Sequence, residues 1–577
     1  MFAEVGAVCR FATRTPRIGN TPKRGIAGYE GGMVSFADVI YSGGEIVTID
    51  DANPAAEALA VADGRIIAAG THDEVMAHQG PGTIARDLQG ATLLPGFIDP
   101  HSHYLNALTV ANQVNLFPPP AGPGADVASI LAALNTFRSA RAIPPGELIV
   151  AYGYDDSAMP DGRTLHKEDL DADFPDNPLV IGHVSMHGAV LNSAAMHLYN
   201  ISAETETPPG GVIVRKPGSR EPDGLVMETA YLPIMSAMPK PTSAQEIQWS
   251  IAAQEMYASF GFTTAHEGLS HASDIGLMQR AAAGGATVID VIAFPFILEL
   301  DAVLADNPPE TFGTYRDRFK LGGVKITIDG SPQGRTAYFT TPYLVDGPDG
   351  QQNWRGEEGF PQSEVDGWFT KVYDLGLPLN IHANGDAAID VLLDAHLAAA
   401  GDEPAKDRRT VAIHSQFVRA DQLDRFVEYR IIPSFFTEHT FYFGDAHIRL
   451  RGREQADFLS PVRAALDRGL RPTNHTDFVV TPLDQMFLLW TSVNRVARSG
   501  DVIGADQRIT PLEALKTITI DAARQYSEEA DKGSLEVGKI ADFVVLDRNP
   551  LTVDPMAIKD ITVLETIKEG RTVYTRS

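Results

Sequence analysis

The sequence predicts an α/β protein: a (β/α)8 TIM-type barrel with a small β-sandwich built from both chain ends. Three observations carry that expectation. Eight strand candidates recur through the middle of the chain, mostly separated by helical stretches. Both chain ends read as short strands and turns. The first of the eight candidates leads into His101-Ser102-His103, a paired-imidazole motif. Strand–helix alternation favours a parallel sheet, and eight such units close into a barrel.

Taken in order, residues 1–32 form a basic leader, with Arg10, Arg14, Arg17, Lys23 and Arg24 among Gly, Pro and Thr. The leader lacks the apolar stretch of a secretory signal and reads as disordered or extended, with Met33 as an internal start; an organelle transit peptide is the other reading. Residues 36–92 follow with strands at 37–41, 45–49, 58–61 and 65–69 and a hairpin signal at Asp63-Gly64. Residues 533–577 read the same way, with strands at 541–547, 561–567 and 572–574 around Glu569-Gly570, so 36–92 and 533–577 are expected to share one sandwich.

Between them, 93–532 is the expected barrel. After the His101-Ser102-His103 strand come candidates at 261–268, 288–295, 322–330, 377–385, 410–416, 431–438 and 471–478, with amphipathic stretches at 363–373, 387–400 and 419–429. An insertion at 104–255 separates the first two strands. It carries turn signals at 208–211 and Asp223-Gly224 and strands near 148–152 and 179–183. On the active-site side it would cover the mouth and shape substrate choice.

Composition narrows the function classes. Of 577 residues, 47 are Lys or Arg and 75 Asp or Glu, a net charge of −28, which disfavours nucleic acid and anionic membranes as partners. Cys9 is the sole cysteine, excluding an intrachain disulfide and a thiolate metal site. No apolar run is long enough to span a bilayer. The expectation is a cytoplasmic protein acting on a small molecule, with a homodimer allowed.

The ends of the later strands supply the rest of a metal set. Lys325 lies on the fourth candidate, His382 ends the fifth, His414 the sixth and Asp477 the eighth. In a closed barrel these ends form one ring, so His101, His103, Lys325, His382, His414 and Asp477 would converge. Imidazole and carboxylate donors suit Zn²⁺, and less exclusively Mn²⁺ or Fe²⁺. Asp99 is placed to orient a ligand from behind.

With Pro95-Gly96-Phe97-Ile98-Asp99-Pro100-His101-Ser102-His103, Lys325, His382, His414, Asp477 and the split terminal sandwich, the chain resembles the amidohydrolase superfamily over roughly residues 36–577. The segments 323–337 and 381–386 look like the branch that includes N-substituted formamide deformylase. The resemblance implies two ions: one on His101, His103 and Asp477, the other on His382 and His414, bridged by a carbamate on Lys325. The alternative for Lys325 is an unmodified ammonium paired with Asp329 or Asp477 beside a single ion. Asp477 would act as general base and then general acid, its alternative being a helix cap.

Four further residues are candidate substrate contacts. His266 ends the second strand, His439 follows the seventh, His475 shares a face with Asp477, and Arg335 lies in the loop after the fourth. Each has a plainer reading, as a satisfied polar residue or, for Arg335, as the partner of an acidic neighbour. The aromatic segment 435–443 is either core or a substrate wall, and His183, His187, Asp155 and Asp156 are either cap residues reaching the site or locally bonded. The expected reaction is metal-dependent hydrolysis of a small amide, an N-substituted formamide or a relative, by metal-activated hydroxide. The rivals are a deaminase, against which Asn384-Gly385-Asp386 after His382 argues modestly, a cyclic-amide or carbamate hydrolase, and a non-catalytic scaffold.

Overall fold

A computed structural model describes residues 36–576 apart from 157–158, 161–162, 185–187, 209–210, 240 and 348–350. The expected leader, His187 and part of the turn at 208–211 lie outside the described residues.

The chain enters through β1 (Val39–Val47), β2 (Ala55–Ala62), β3 (Arg65–Gly70), β4 (Ile84–Asp87) and β5 (Thr92–Pro95). Sequence reading expected two strands where β1 is one. Its register breaks between Ser42 and Ile46, so the first half pairs with β4 and the second with β5. Gly44 sits at that break because a Cβ there would meet the Ala91 carbonyl at 2.2 Å. Asp63-Gly64 makes the expected β2–β3 turn with both φ positive, at 48° and 72°.

After β6 (Phe97–Ile98) the chain forms β7 (Val114–Asn115), β8 (Ile149–Tyr154), β9 (Leu179–His183), β10 (Gly188–Leu191), β11 (Gly211–Arg215) and β12 (Pro222–Glu228). These six make their own mixed sheet, in the order β11-β12-β10-β9-β8-β7. It has a separate core around Ile130, Leu134, Tyr154 and Phe174. The flanks of the expected insertion behave differently. Tyr104 and Ala107 of helix Tyr104–Val110, and Ala253 and Tyr257 of helix Ser243–Ser259, are buried in the main core.

The middle continues with β13 (Phe262–Ser270), β14 (Asp290–Pro295), β15 (Phe319–Leu321), β16 (Val324–Thr327), β17 (Leu379–Ala383), β18 (Val411–His414), β19 (Ile432–Phe435) and β20 (Thr473–Asn474). Each expected strand has its counterpart, and β15 is additional. All pairings are parallel, in two sheets ordered β15-β14-β13-β6 and β16-β17-β18-β19-β20. A parallel bridge from Phe296 to Lys325 joins them on one side. On the other, Asp477 N donates to His101 O at 3.3 Å and His103 N to Phe478 O at 2.9 Å.

The chain closes with β21 (Phe543–Leu546), β22 (Val563–Lys568) and β23 (Arg571–Thr575). Strands from both ends form a single eight-stranded sheet, where a sandwich of two was expected. The reason is that β21 pairs antiparallel with β5 on one edge and β22 on the other, so hydrogen bonding runs on without a break. Among the described residues, no helix is long and apolar enough to cross a membrane.

Candidate metal centre

The site is assembled by loops just past the parallel strands. β6 stops at Ile98, so His101 and His103 do not share a strand face as the motif suggested; they lie in the following turn. Asp99 holds that turn: its carboxylate accepts from His101 N at 3.2 Å, from the Ser102 hydroxyl, and from His266 N at 3.3 Å. The turn packs on β13 at Gly268, where a Cβ would lie 2.4 Å from the His101 ring. β20 is likewise shorter than expected, and Asp477 sits beyond it with φ 51°. His414, at the end of β18, has φ 70°. Two of the candidate ligands thus hold left-handed backbone, a conformation that costs free energy and clusters at functional sites.

Donor spacing tests whether these residues fit an ion. Two ligands bound tetrahedrally at about 2.0–2.1 Å stand about 3.3–3.4 Å apart. Asp477 Oδ1 is 3.4 Å from His101 Nε2 and 3.4 Å from His103 Nε2. His382 Nδ1 is 3.1 Å from His414 Nε2. His101, His414 and Asp477 each place a donor atom within 4.8 Å of the others'. The His414 Nδ1 atom is buried without a hydrogen-bond partner. The residues fit.

Supporting groups fix the donors. Asp329, which sequence reading took only as a partner for Lys325, has its carboxylate 3.4 Å from His382 Nε2 and accepts from the amides of Tyr338, Asn384 and Gly385, each at 2.9 Å. It faces Nε2 of His382 and leaves Nδ1 toward His414. Glu267 lies 3.8 Å from His103 Nδ1 and accepts from Leu105 N at 2.7 Å. Neither role carries a spacing signal, because each depends on which loops meet.

Burial and neighbouring charge set the protonation states. Burial pulls His103 down, but Asp477 and Glu267 outweigh it and hold His103 up at about 9. Burial pushes Asp477 up, yet the surrounding histidines, His103 foremost, keep it well below the usual carboxylate range. Burial depresses Lys325 to about 8, against the pull of Asp477 and Glu267. His101 and His414 are driven well below the ordinary histidine value by burial. Asp99 is raised to about 7 by burial, despite its hydrogen bonds.

A cavity of about 250 Å³ opens over these donors, with Thr327, Gln333, Gln416, Phe436 and His439 in its wall. Of the four candidate substrate contacts, only His439 lines it, with Nδ1 3.0 Å from Nε2 of His447. The other three are placed elsewhere. Arg335 donates to the Asp346 and Gly347 carbonyls at 2.8 and 3.3 Å, in its own loop. His475 is wholly buried, its ring 5.1 Å from that of His101 and 5.0 Å from that of His414. His266 is also wholly buried, stacked on Phe294 at 4.8 Å. In the six-stranded sheet, His183 pairs with Asp156 at 3.1 Å. The aromatic segment divides: Phe436 meets the cavity, while Phe441 packs on Phe487 and Trp490.

A ring of imidazoles and a carboxylate just past the ends of parallel strands makes a candidate metal centre. Residues 85–574 match the amidohydrolase family, and the chain belongs to that family as a hydrolase acting on carbon–nitrogen bonds. N-substituted formamide deformylase from Arthrobacter pascens is 28% identical over 563 residues, covering 94% of this chain and all of that protein. Protein LONG AFTER FAR-RED 3 from Arabidopsis thaliana is 27% identical, covering 93% of this chain and 92% of the relative. An uncharacterized metal-dependent hydrolase from Pyrococcus furiosus shares the fold, with a TM-score of 0.68 at 23% identity, over 89% of this chain and all of that one.

Proposed function

We propose that this protein hydrolyses the amide bond of a small uncharged substrate, an N-substituted formamide or close relative, at a zinc centre. His101, His103, His382, His414 and Asp477 would hold the zinc, and Lys325, as a CO₂-derived carbamate, would add anionic oxygens to the site. The observation that carries the reading is Asp477 Oδ1, 3.4 Å from two imidazole nitrogens and beside a cavity. Bound zinc would polarise the scissile carbonyl and lower the pKa of water. Asp477 takes the proton of the attacking water and returns it to the departing nitrogen. His439, in the wall, is the candidate substrate contact.

The substrate class follows from the walls. Lys325 is the only Lys or Arg among the described residues lining the cavity, and Arg335 is bonded to carbonyls of its own loop. A substrate carboxylate therefore finds no guanidinium, which disfavours N-acyl amino acids and favours neutral amides. The size of the cavity and the full-length alignment with the Arthrobacter deformylase support the same choice.

We read the two parallel sheets as one barrel. β6, β13, β14 and β16 to β20 are eight parallel strands, and the Phe296–Lys325 bridge and the His101–Asp477 bond lie where the two sheets meet. They are the two arcs of one interrupted (β/α)8 barrel, with the composite sheet and the six-stranded sheet as additions.

Metal analysis of the purified protein, beside turnover assays on formamides, acyl amino acids, cyclic amides and aminopurines, tests the reading. Formate release from a neutral formamide by zinc-loaded protein is the expected result. Ammonia release from an aminopurine without amide cleavage would overturn it.

A further inference from the structure

Three buried groups behind the metal centre, Tyr526, His266 and His101, are joined by hydrogen bonds whose protons can be counted. Tyr526 donates its hydroxyl proton to the Asp99 carbonyl at 2.6 Å, since a carbonyl oxygen can only accept. The same hydroxyl lies 2.5 Å from His266 Nδ1. A phenol has one proton, so toward His266 the oxygen is the acceptor and Nδ1 carries the hydrogen. Neutral His266 then has a bare Nε2. That atom lies 3.4 Å from His101 Nδ1, which must be the donor. The free lone pair of His101 is left on Nε2, the atom 3.4 Å from Asp477 Oδ1 and from Lys325 Nζ.

We propose that Tyr526 and His266 form a positioning relay that fixes the ring proton of His101 on Nδ1 and presents Nε2 to the ion. Metal-binding histidines are ordinarily oriented by a carboxylate or carbonyl on the other ring nitrogen. Here an imidazole and a phenol extend that device to the backbone of Asp99, two residues before His101 itself. Both ends of the chain of bonds are thus anchored in one turn. Phe294 stacks on His266 with its plane tilted by 13°, holding the ring in the orientation the relay needs. This assigns His266 a role that its burial beneath the cavity allows and that substrate contact does not.

The inference rests on the metal reading above, and the experiment separates the two. Tyr526→Phe removes only the relay's terminal oxygen and keeps the ring. Zinc affinity by chelator competition is expected to fall roughly 10- to 100-fold, with the melting temperature of the metal-free protein unchanged. Nitrogen-15 spectra of the metal-free wild type are expected to show His101 protonated on Nδ1, and the variant a mixture of tautomers. His266→Phe, which keeps the stack, should lower affinity at least as far. Zinc affinity within twofold of wild type for Tyr526→Phe, or a His101 proton on Nε2 in the wild type, overturns the relay. A wild type that binds no zinc overturns the metal reading instead, while the spectra of the metal-free protein still decide the tautomer.

Discussion

At His103 two demands conflict. In the metal-free protein Asp477 and Glu267 hold its pKa at about 9, so it is protonated at neutral pH. To bind an ion it must give that proton up. Metal uptake at pH 7 is therefore expected to release a proton, and zinc affinity to fall as pH drops below about 9. The slope should approach tenfold per unit; pH-dependent calorimetry in buffers of differing ionisation enthalpy measures both. Arg335 supplies the opposite kind of prediction. Its guanidinium is bonded to carbonyls of its own loop, so Arg335→Ala should leave kcat/KM for a neutral formamide within about twofold. Sequence reading singled out Arg335 as a charge near the site, and only the loop's course shows where that charge is used.

Among the elements, the loop after β16 does the most positioning. Asp329 ties the start of helix Asp386–Ala400 and the segment at Tyr338 to His382 through three amide bonds. Asp329→Ala is expected to lower zinc affinity about 10- to 100-fold, because the loop that holds Asn384 and the Gly330 carbonyl against His382 Nε2 loses its anchor and the nearby carboxylate. Chelator competition on the variant reads this directly. The strand positions of this region were legible in the sequence, since short apolar runs alternating with amphipathic helices have few other solutions. Strand ends were less so. β6 and β20 are two residues each, because His101, His103 and Asp477 are held by tertiary bonds rather than ladder pairing.

Over the whole molecule, a buried charge cluster ties the composite sheet to the parallel strands. Asp290 on β14 pairs with Lys568 on β22 at 2.6 Å and with Lys532 at 2.5 Å. Burial raises its pKa, but the two ammonium groups overcome that and hold it well below the usual carboxylate range. A depressed folded value means the carboxylate stabilises the fold above its unfolded pKa, and that contribution is lost as pH falls through the folded one. Asp290→Asn removes the carboxylate that Lys532 and Lys568 share and leaves them only Glu528 and Asp542, so it should cost roughly 1.5–3 kcal/mol, with less loss of stability on acidification than wild type. Denaturant unfolding at neutral and acid pH tests both parts.

The sequence alone marks His101, His103, Lys325, His382, His414 and Asp477 as candidate ligands and sets the strand order, since each follows or occupies a recognisable apolar run. It determined the hairpins at Asp63-Gly64 and Glu569-Gly570, where a two-residue turn with positive φ admits few residue types. The tertiary structure alone decided that both chain ends share one sheet, that Asp329 and Glu267 back the histidines, and that His266 faces Tyr526 rather than the cavity. Those outcomes depend on groups that meet across long stretches of chain, such as His266 and Tyr526, 260 residues apart. Local propensity and spacing carry no record of such meetings; packing and hydrogen-bond direction do.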